Sequence, residues 1–209
     1  MEGKLLVISG LSAAGKGTIA SKLVEKFDNY VLSISVTTRE KRGIEKEGVD
    51  YFFRSKDEFK EMIKNGEFLE YAEYVGNFYG TPKKYVEDKL HAGINVILEI
   101  EMQGALQIKK VYDKAILVFF IPKDAGTQRK RLIKRGRDDN EQIEMRIRQA
   151  VKDAEYAEHY DYIVINDTIE KSLDDMQEIV NGTYDKNKNI YALNILKKIV
   201  RDIKEEQNV

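Results

Sequence analysis

The chain of 209 residues contains no cysteine and only two prolines, Pro82 and Pro122. The missing cysteines exclude disulfide bonds and thiolate metal sites, and they fit a protein of a reducing compartment. Charge of one sign is not in excess either, since 35 Lys and Arg stand against 36 Asp and Glu, a net charge of −1. No global basic field is therefore present, and no nucleic-acid partner is expected.

Long apolar runs, low-complexity segments and internal repeats are lacking as well. No run approaches the roughly 20 apolar residues that a membrane span needs, so no membrane partner is expected. What the chain does have is 42% hydrophobic and 34% charged residues, enough to bury a sizeable core as one globular unit. A glycine-rich motif already begins at residue 10, which leaves no room for a signal peptide and predicts a cytoplasmic location.

That motif is the most informative stretch of the chain, with the sequence GLSAAGKGT at residues 10–18. It follows the apolar residues 5–8 and precedes a helical pattern at 18–27, which is the context of a phosphate-binding loop. Gly10 and Gly15 let backbone N–H groups point at phosphate oxygens, and Lys16 reaches the β- and γ-phosphates at the helix N-terminus. The predicted nucleotide-binding residues are Gly10, Leu11, Ser12, Ala13, Ala14, Gly15, Lys16, Gly17 and Thr18.

The residue after the lysine departs from the strict pattern, which has Ser or Thr there. Gly17 takes this place, and the hydroxyl follows one residue later, at Thr18. No direct protein ligand for Mg²⁺ is therefore assigned, and the ion is expected to be held by phosphates and water, with Thr18 at most near its water shell.

Hydrophobic periodicity gives most of the chain an alternating organisation. Strands are predicted at 31–36, 94–100, 115–121 and 162–165, and helices at 83–91, 103–112, 127–134, about 140–159, 169–180 and 190–204. Alternation of this kind predicts a three-layer α/β fold whose parallel central sheet is covered on both faces, with ligands at the carboxyl ends of the strands.

Residues 37–82 interrupt this alternation as a small α+β insertion. Strands are predicted at 51–53, 68–74 and 77–81, and a helix at 55–65 with Ser55 as its cap and Glu58 in the capping-box position. The insertion also carries two arginines and two tyrosines, Arg39, Arg42, Tyr51 and Tyr79, that could converge on a phosphate dianion. Taken singly, each of the four is better explained as part of a solvated loop or a half-buried strand.

Taken together, these pieces resemble the GMP-binding part of the guanylate kinases. The resemblance rests on SVTTREKR at 35–42, DYF at 50–52, Glu70 and YGT at 79–81, and it continues through LEIEMQGA at 98–105, KRLIKRG at 130–136 and IND at 165–167. It therefore covers the chain up to about residue 182. It implies a P-loop kinase with a GMP-binding insertion at 37–82 and a helical lid at 126–155, on a core of residues 1–36, 83–125 and 156–209.

The implied activity is transfer of a phosphoryl group from MgATP to GMP or dGMP, giving ADP and GDP, in purine nucleotide metabolism. For the GMP site the resemblance implies the residues Ser35, Arg39, Arg42, Tyr51, Glu70, Tyr79, Thr81 and Glu101. The catalytic residues that it implies are Lys16, Arg39 and the lid arginines Arg131, Arg135 and Arg146. It also implies that Asn166 belongs to the ATP site and that Glu99 faces the water shell of Mg²⁺. Glu101 stands where many members carry Asp. The remaining lid-region arginines, Arg129, Arg137 and Arg148, are interpreted as surface charges.

The chemistry of the bases supports guanine independently, because one carboxylate such as Glu70 can accept both the N1–H and the N2–H donors of guanine. Adenine presents a lone pair at N1, which a carboxylate repels. Two alternatives remain: another nucleoside monophosphate kinase with AMP as acceptor, and a non-catalytic guanylate-kinase-like module that binds phosphorylated proteins. A monomer or small homo-oligomer is expected. The tail at 185–209 carries no family motif, and its apolar spacing predicts core cover or a partner face.

Overall fold

The computed structural model describes residues 2–74, 76–136 and 138–207, so Arg137 lies outside the described residues. The strands in these ranges are β1 (Leu5–Gly10), β2 (Tyr30–Leu32), β3 (Val36–Thr37), β4 (Phe52–Phe53), β5 (Phe68–Tyr74), β6 (Asn77–Pro82), β7 (Asn95–Glu99), β8 (Ile116–Pro122) and β9 (Tyr162–Asn166). The helices are α1 (Lys16–Lys26), α2 (Lys56–Lys64), α3 (Lys83–His91), α4 (Met102–Val111), α5 (Ala125–Arg135), α6 (Asn140–Asp153), α7 (Ile169–Asn181) and α8 (Lys186–Gln207), with a 3₁₀ helix at Ala154–His159.

The central sheet contains five strands in the order β2-β7-β1-β8-β9, and all neighbouring strands are parallel. Every residue of β1 is buried, so both faces of the sheet are covered, as the alternation of strands and helices predicted. The carboxyl ends of its strands bring Gly10, Glu99 and Asn166 to one edge of the sheet. The predicted α/β fold with a covered parallel sheet is confirmed, and this edge carries the phosphate-binding loop.

A second sheet is built from residues of the predicted insertion, in the order β4-β3-β6-β5. Helix α2 packs on it through Phe59, whose ring stacks on Phe68 at 4.5 Å and on Phe78 at 5.4 Å between centroids. Ser55 caps this helix, and Glu58 closes the capping box, which confirms the sequence prediction.

The prediction of one strand at 31–36 is wrong. β2 ends at Leu32 in the central sheet, and β3 begins at Val36 in the second sheet. Between them Ser33 still donates its N–H to the carbonyl of Ile97, whereas the carbonyl of Ser35 accepts from Phe52. The chain thus changes sheets within a stretch in which Ser33 and Ser35 alternate with apolar residues, and this strand-like pattern carries no signal for such a change.

The helix predicted at about 140–159 also differs, because α6 ends at Asp153 and a 3₁₀ helix continues to His159. The last helix begins at Lys186, earlier than predicted, and it covers the core with Ala192, Leu196, Ile199 and Ile203. The interpretation of this tail as core cover therefore holds for one of its faces.

Arg129, interpreted from the sequence as a surface charge, is partly exposed and links three helices through ion pairs. It lies on α5 and forms ion pairs with Glu144 of α6 and, at 3.1 Å, with Glu206 of α8. Arg148 is exposed, as expected. Among the helices of the described ranges, none has the length and apolar character that crossing a membrane would require.

Candidate active site

The phosphate-binding loop, residues 10–18, joins β1 to α1 through residues with left-handed backbone. Gly10 has φ of +139° and Gly15 of +89°, as the sequence predicted for these glycines. A Cβ at Gly10 would lie 2.1 Å from the carbonyl oxygen of Phe120, so no other residue fits there. Ala13 also has a positive φ, +60°, which costs a non-glycine residue about 1 kcal/mol. The loop therefore stores strain next to the predicted nucleotide site.

The ammonium group of Lys16 rests on the loop itself. Its Nζ donates to the carbonyls of Gly10, at 2.9 Å, and Leu11, at 3.2 Å. Burial lowers the pKa of Lys16, and the carboxylates of Glu101 and Glu99 act in the opposite direction. Both of these acceptors are neutral carbonyls. Phosphate oxygens are charged and form stronger hydrogen bonds with an ammonium group, so they can replace the carbonyls when a nucleotide binds.

Arg131 and Asn166 lie against the outer side of the loop. Arg131 donates to the carbonyls of Ala14, at 3.2 Å, and Asn166, at 2.9 Å. The side chain of Asn166 donates to the same carbonyl of Ala14 at 2.8 Å and accepts from Ser172 at 3.2 Å. The structure thus brings both predicted residues to the loop and binds them to each other.

Glu99 reaches the loop from the end of β7. A Cβ at Gly17 would lie 3.0 Å from one of its carboxylate oxygens, so the missing side chain leaves this space to Glu99. Partial desolvation raises the pKa of Glu99 although the residue is classed as exposed, while Lys16 and Arg135 act against this rise. Arg135 is therefore close enough to act electrostatically on both Lys16 and Glu99.

Among the described residues, the carboxylates at this edge of the central sheet stand singly and do not form a cluster. In the described part of the chain, no three His, Asp or Glu side chains come together in a way that could hold a metal ion. Thr18 is exposed on α1, one residue beyond the position facing Glu99. These residues fit an ion that arrives on phosphates and keeps most of its water.

Arg39, Tyr51 and Tyr79 come together on the second sheet. The guanidinium of Arg39 lies 5.3 Å from the ring centroid of Tyr51, and this ring meets Tyr79 edge-on at 6.1 Å. Glu45 accepts from Arg39 at 2.7 Å, and this hydrogen bond raises the pKa of Arg39. The other Glu45 oxygen accepts from the backbone N–H of the exposed Arg42 at 2.8 Å.

Glu70 and Thr81 form a buried pair between the neighbouring strands β5 and β6, where they stand opposite each other in register. The Thr81 hydroxyl donates to Oε1 of Glu70 at 2.6 Å, and Glu70 is only 8% exposed. Burial raises the pKa of Glu70, and the hydrogen bond from Thr81 acts against the rise. Of the other predicted base-site residues, Ser35 is half-buried between β2 and β3, and Glu101 is exposed just before α4.

The guanidinium of Arg146 is engaged in an ion pair in this structure. It lies on α6 and pairs with Asp138 at 2.9 Å. To reach a phosphate, its guanidinium would have to leave this partner.

The sequence model of the guanylate kinase family matches residues 2–183 of this chain. The chain belongs to the guanylate kinase family. It is 46% identical over 182 residues to the guanylate kinase of Lactococcus lactis, which covers 87% of this chain and 89% of the relative. It is 40% identical over 201 residues to the guanylate kinase of Oceanobacillus iheyensis, covering 96% of this chain and 97% of that protein.

A solved structure agrees with this membership. The crystal structure of guanylate kinase from Anaplasma phagocytophilum has a TM-score of 0.65 and 35% sequence identity, covering 87% of this chain and 86% of the other. These comparisons support neither an AMP kinase nor a non-catalytic module.

Three residues of this guanylate kinase site were missed from the sequence. Glu45 holds Arg39 but looks like any other acid of a charged loop. Gly104 lies inside α4, where a Cβ would be 3.2 Å from Oε2 of Glu70, and a glycine within a helix is itself a signal of close packing. Gln128 donates to the carbonyl of Ser12 at 3.0 Å, and its signal was a polar residue on the buried face of α5.

Gly104 gives a direct test of how the Glu70 carboxylate is held. In Gly104→Ala the new methyl group meets Oε2 of Glu70, so the carboxylate has to move by a few tenths of an ångström. We expect kcat/KM for GMP to fall about tenfold, about 1.4 kcal/mol of transition-state stabilisation, with KM for ATP unchanged. Steady-state kinetics with each substrate varied in turn measures both values.

Gly126→Ala is the matched control, because this exposed glycine is also helical and its Cβ would make only an ordinary 3.5 Å contact with Asp124. A Gly104→Ala variant with the GMP kinetics of the Gly126→Ala variant would show that α4 does not position Glu70.

Proposed function

We propose that the chain transfers the γ-phosphoryl group of ATP to the phosphate of GMP, giving ADP and GDP, with the residues in the roles described below. The observation that carries the choice of acceptor is the buried carboxylate of Glu70, fixed by Thr81 on one oxygen and close to Gly104 on the other. An ionised carboxylate in this position accepts from two adjacent donors, which guanine offers and adenine does not.

On the acceptor side, Arg39, Arg42, Tyr51 and Tyr79 bind the phosphate of GMP. The packing of Arg39 against Tyr51 and its bond to Glu45 support this role, because they hold the guanidinium in place before any ligand arrives. A dianionic phosphate is a stronger partner for two arginines than a single carboxylate. Glu70, Ser35, Thr81 and Glu101 bind the guanine base.

On the donor side, residues 10–18 and Asn166 bind ATP, and Lys16 contacts the β- and γ-phosphates. The attacking oxygen of GMP is already ionised near neutral pH, so no general base is required. The work left to the protein is to align the two phosphates and to stabilise negative charge in the transition state. Lys16, Arg39, Arg131, Arg135 and Arg146 supply the positive charge for this step.

Mg²⁺ enters as MgATP, and when bound it neutralises charge on the β- and γ-phosphate oxygens. Glu99 and Thr18 contact its water shell in this proposal. The support is the position of Glu99 beside Gly17, at the start of the helix that follows the loop.

In this proposal residues 37–82 bind GMP, residues 126–155 form the lid, and the remaining residues form the core. Arg39 and Arg146 each hold an acidic side chain as partner in the present structure, and each gains a phosphate when the cleft closes over both nucleotides. Closure also keeps water away from the transferring group. A monomer or small homo-oligomer suffices, because every proposed residue comes from one chain.

An ADP-release assay with a panel of nucleoside monophosphates tests the proposed function. With MgATP as donor, we expect turnover with GMP and dGMP, and a kcat/KM for AMP lower by about 10²-fold or more. The same assay without acceptor measures background hydrolysis of ATP. Equal activity with GMP and AMP would contradict guanine recognition, and activity with neither would favour a binding module.

A further inference from the structure

The side chain of Gln128 is fully buried on α5 and reaches the phosphate-binding loop. Its Nε2 donates to the carbonyl of Ser12 at 3.0 Å, and its Oε1 is buried with no hydrogen-bond partner among the described residues. We infer that Gln128 is a positioning residue that fixes the loop for the phosphates of ATP. This inference rests on the proposed function, in which that loop binds the donor.

The orientation of the amide follows from its surroundings. The carbonyl of Ser12 can only accept, so Nε2 has to face it, and Oε1 is left pointing into a region without a donor. On the same face of α5, Ala125 and Leu132 are buried, so an apolar side chain would be expected at the position of Gln128. Its polarity costs stability at this position, and what it gains is the bond to the loop.

The bond acts on the loop through the geometry of the peptide. In a trans peptide the carbonyl of Ser12 and the N–H of Ala13 point in opposite directions. Holding the carbonyl toward α5 therefore aims the N–H of Ala13 away from α5, on the side where phosphate oxygens bind. Ala13 has a φ of +60°, so this peptide lies in a strained part of the loop that would relax without an anchor.

Arg131 holds the following carbonyl groups, of Ala13 at 3.5 Å and of Ala14 at 3.2 Å. It is also a proposed catalytic arginine, so its guanidinium leaves these carbonyls when it turns to the transferring phosphate. Gln128 is neutral and buried near the start of the proposed lid, so it has no phosphate to turn to, and in this proposal it keeps its bond to Ser12 while the lid closes. It is thus the anchor of Ser12 at the moment of reaction.

Replacing Gln128 by leucine separates positioning from folding. Gln128→Leu removes the unpaired buried oxygen but also leaves the carbonyl of Ser12 without its bond to α5, so the two effects offset and we expect a melting temperature within about 4 °C of that of the unaltered chain. At the same time kcat/KM for ATP should fall about tenfold, while KM for GMP changes less than twofold. A residue that only fills the core would not lower activity with one substrate in a protein of similar stability.

Gln128→Met, of similar length and without a hydrogen-bonding group, is the second variant in case leucine packs poorly. Gln177→Leu is the matched control, because this amide also donates a single bond, to the hydroxyl of Tyr30 at 2.9 Å, at the opposite edge of the sheet. It should leave the ATP kinetics unchanged.

The inference is overturned if both variants keep kcat/KM for ATP within twofold of the unaltered chain, or if both substrates are affected equally along with a lower melting temperature. A failure of the proposed function would look different, since the unaltered chain itself would then not phosphorylate GMP.

Discussion

Replacing Lys16 by alanine is expected to lower kcat for phosphoryl transfer by about a hundredfold or more, the usual loss for one preorganised electrostatic contact to a developing charge. Among the described residues, its ammonium group donates hydrogen bonds to the carbonyls of Gly10 and Leu11 and forms no ion pair. The measurement is a coupled assay of ADP release at saturating GMP and MgATP.

Lys22→Ala provides the control, because Lys22 lies on the same helix and its one ion pair among the described residues is the exposed pair with Glu25. Such pairs contribute little, and this variant should retain full activity. Near-normal turnover of Lys16→Ala would mean that the loop does not place a cation on the transferring phosphate.

The Glu70→Gln variant is expected to lose about 10²-fold or more in kcat/KM for GMP. The amide keeps the size of the side chain, but it cannot accept from both guanine donors, and its NH₂ group opposes one of them. It can instead pair with adenine, by donating to N1 and accepting from the 6-amino group. The ratio of kcat/KM for AMP to that for GMP should therefore rise, measured in one assay at saturating MgATP.

Glu73→Gln on the same strand is the control, since Glu73 is exposed while Glu70 is buried. If the AMP-to-GMP ratio of Glu70→Gln equals that of the control, Glu70 does not read the base.

The phosphate-binding loop was predictable because its chemistry is local. Gly10, Gly15 and Lys16 follow one another at fixed spacing between a strand and a helix, and the structure gives the glycines the positive φ that the motif requires. The covered parallel sheet was predictable for a similar reason, because runs such as β8 are apolar on both faces.

Features that depend on contacts between distant segments were not predictable. The stretch at 31–36, in which serine alternates with apolar residues, shows no mark where the chain leaves one sheet for the other, since either sheet accepts such a pattern. Gln128 is marked only as a polar residue on the buried face of α5, and its partner Ser12 lies far away in the chain, so the bond between them was not predictable.

The charged side chains of the site were predictable in part. The resemblance supplied Arg39 and Arg146, but their present partners Glu45 and Asp138 could not be selected from the many acids nearby. Which acid meets each guanidinium depends on how the surrounding loop and helices are placed in the fold, and the sequence pattern does not give that placement. The role proposed for Arg146 requires a nucleotide phosphate to replace Asp138, whereas Glu45 holds Arg39 in place before GMP arrives.

The separation of the two nucleotide sites is tested most directly by calorimetric titration of GMP into the unaltered chain, Lys16→Ala and Glu70→Gln. If the second sheet binds guanine and the loop binds the donor phosphates, the Kd for GMP stays within about twofold in Lys16→Ala and rises at least tenfold in Glu70→Gln, about 1.4 kcal/mol. An unchanged Kd in Glu70→Gln, or an equal loss in both variants, would contradict the assignment.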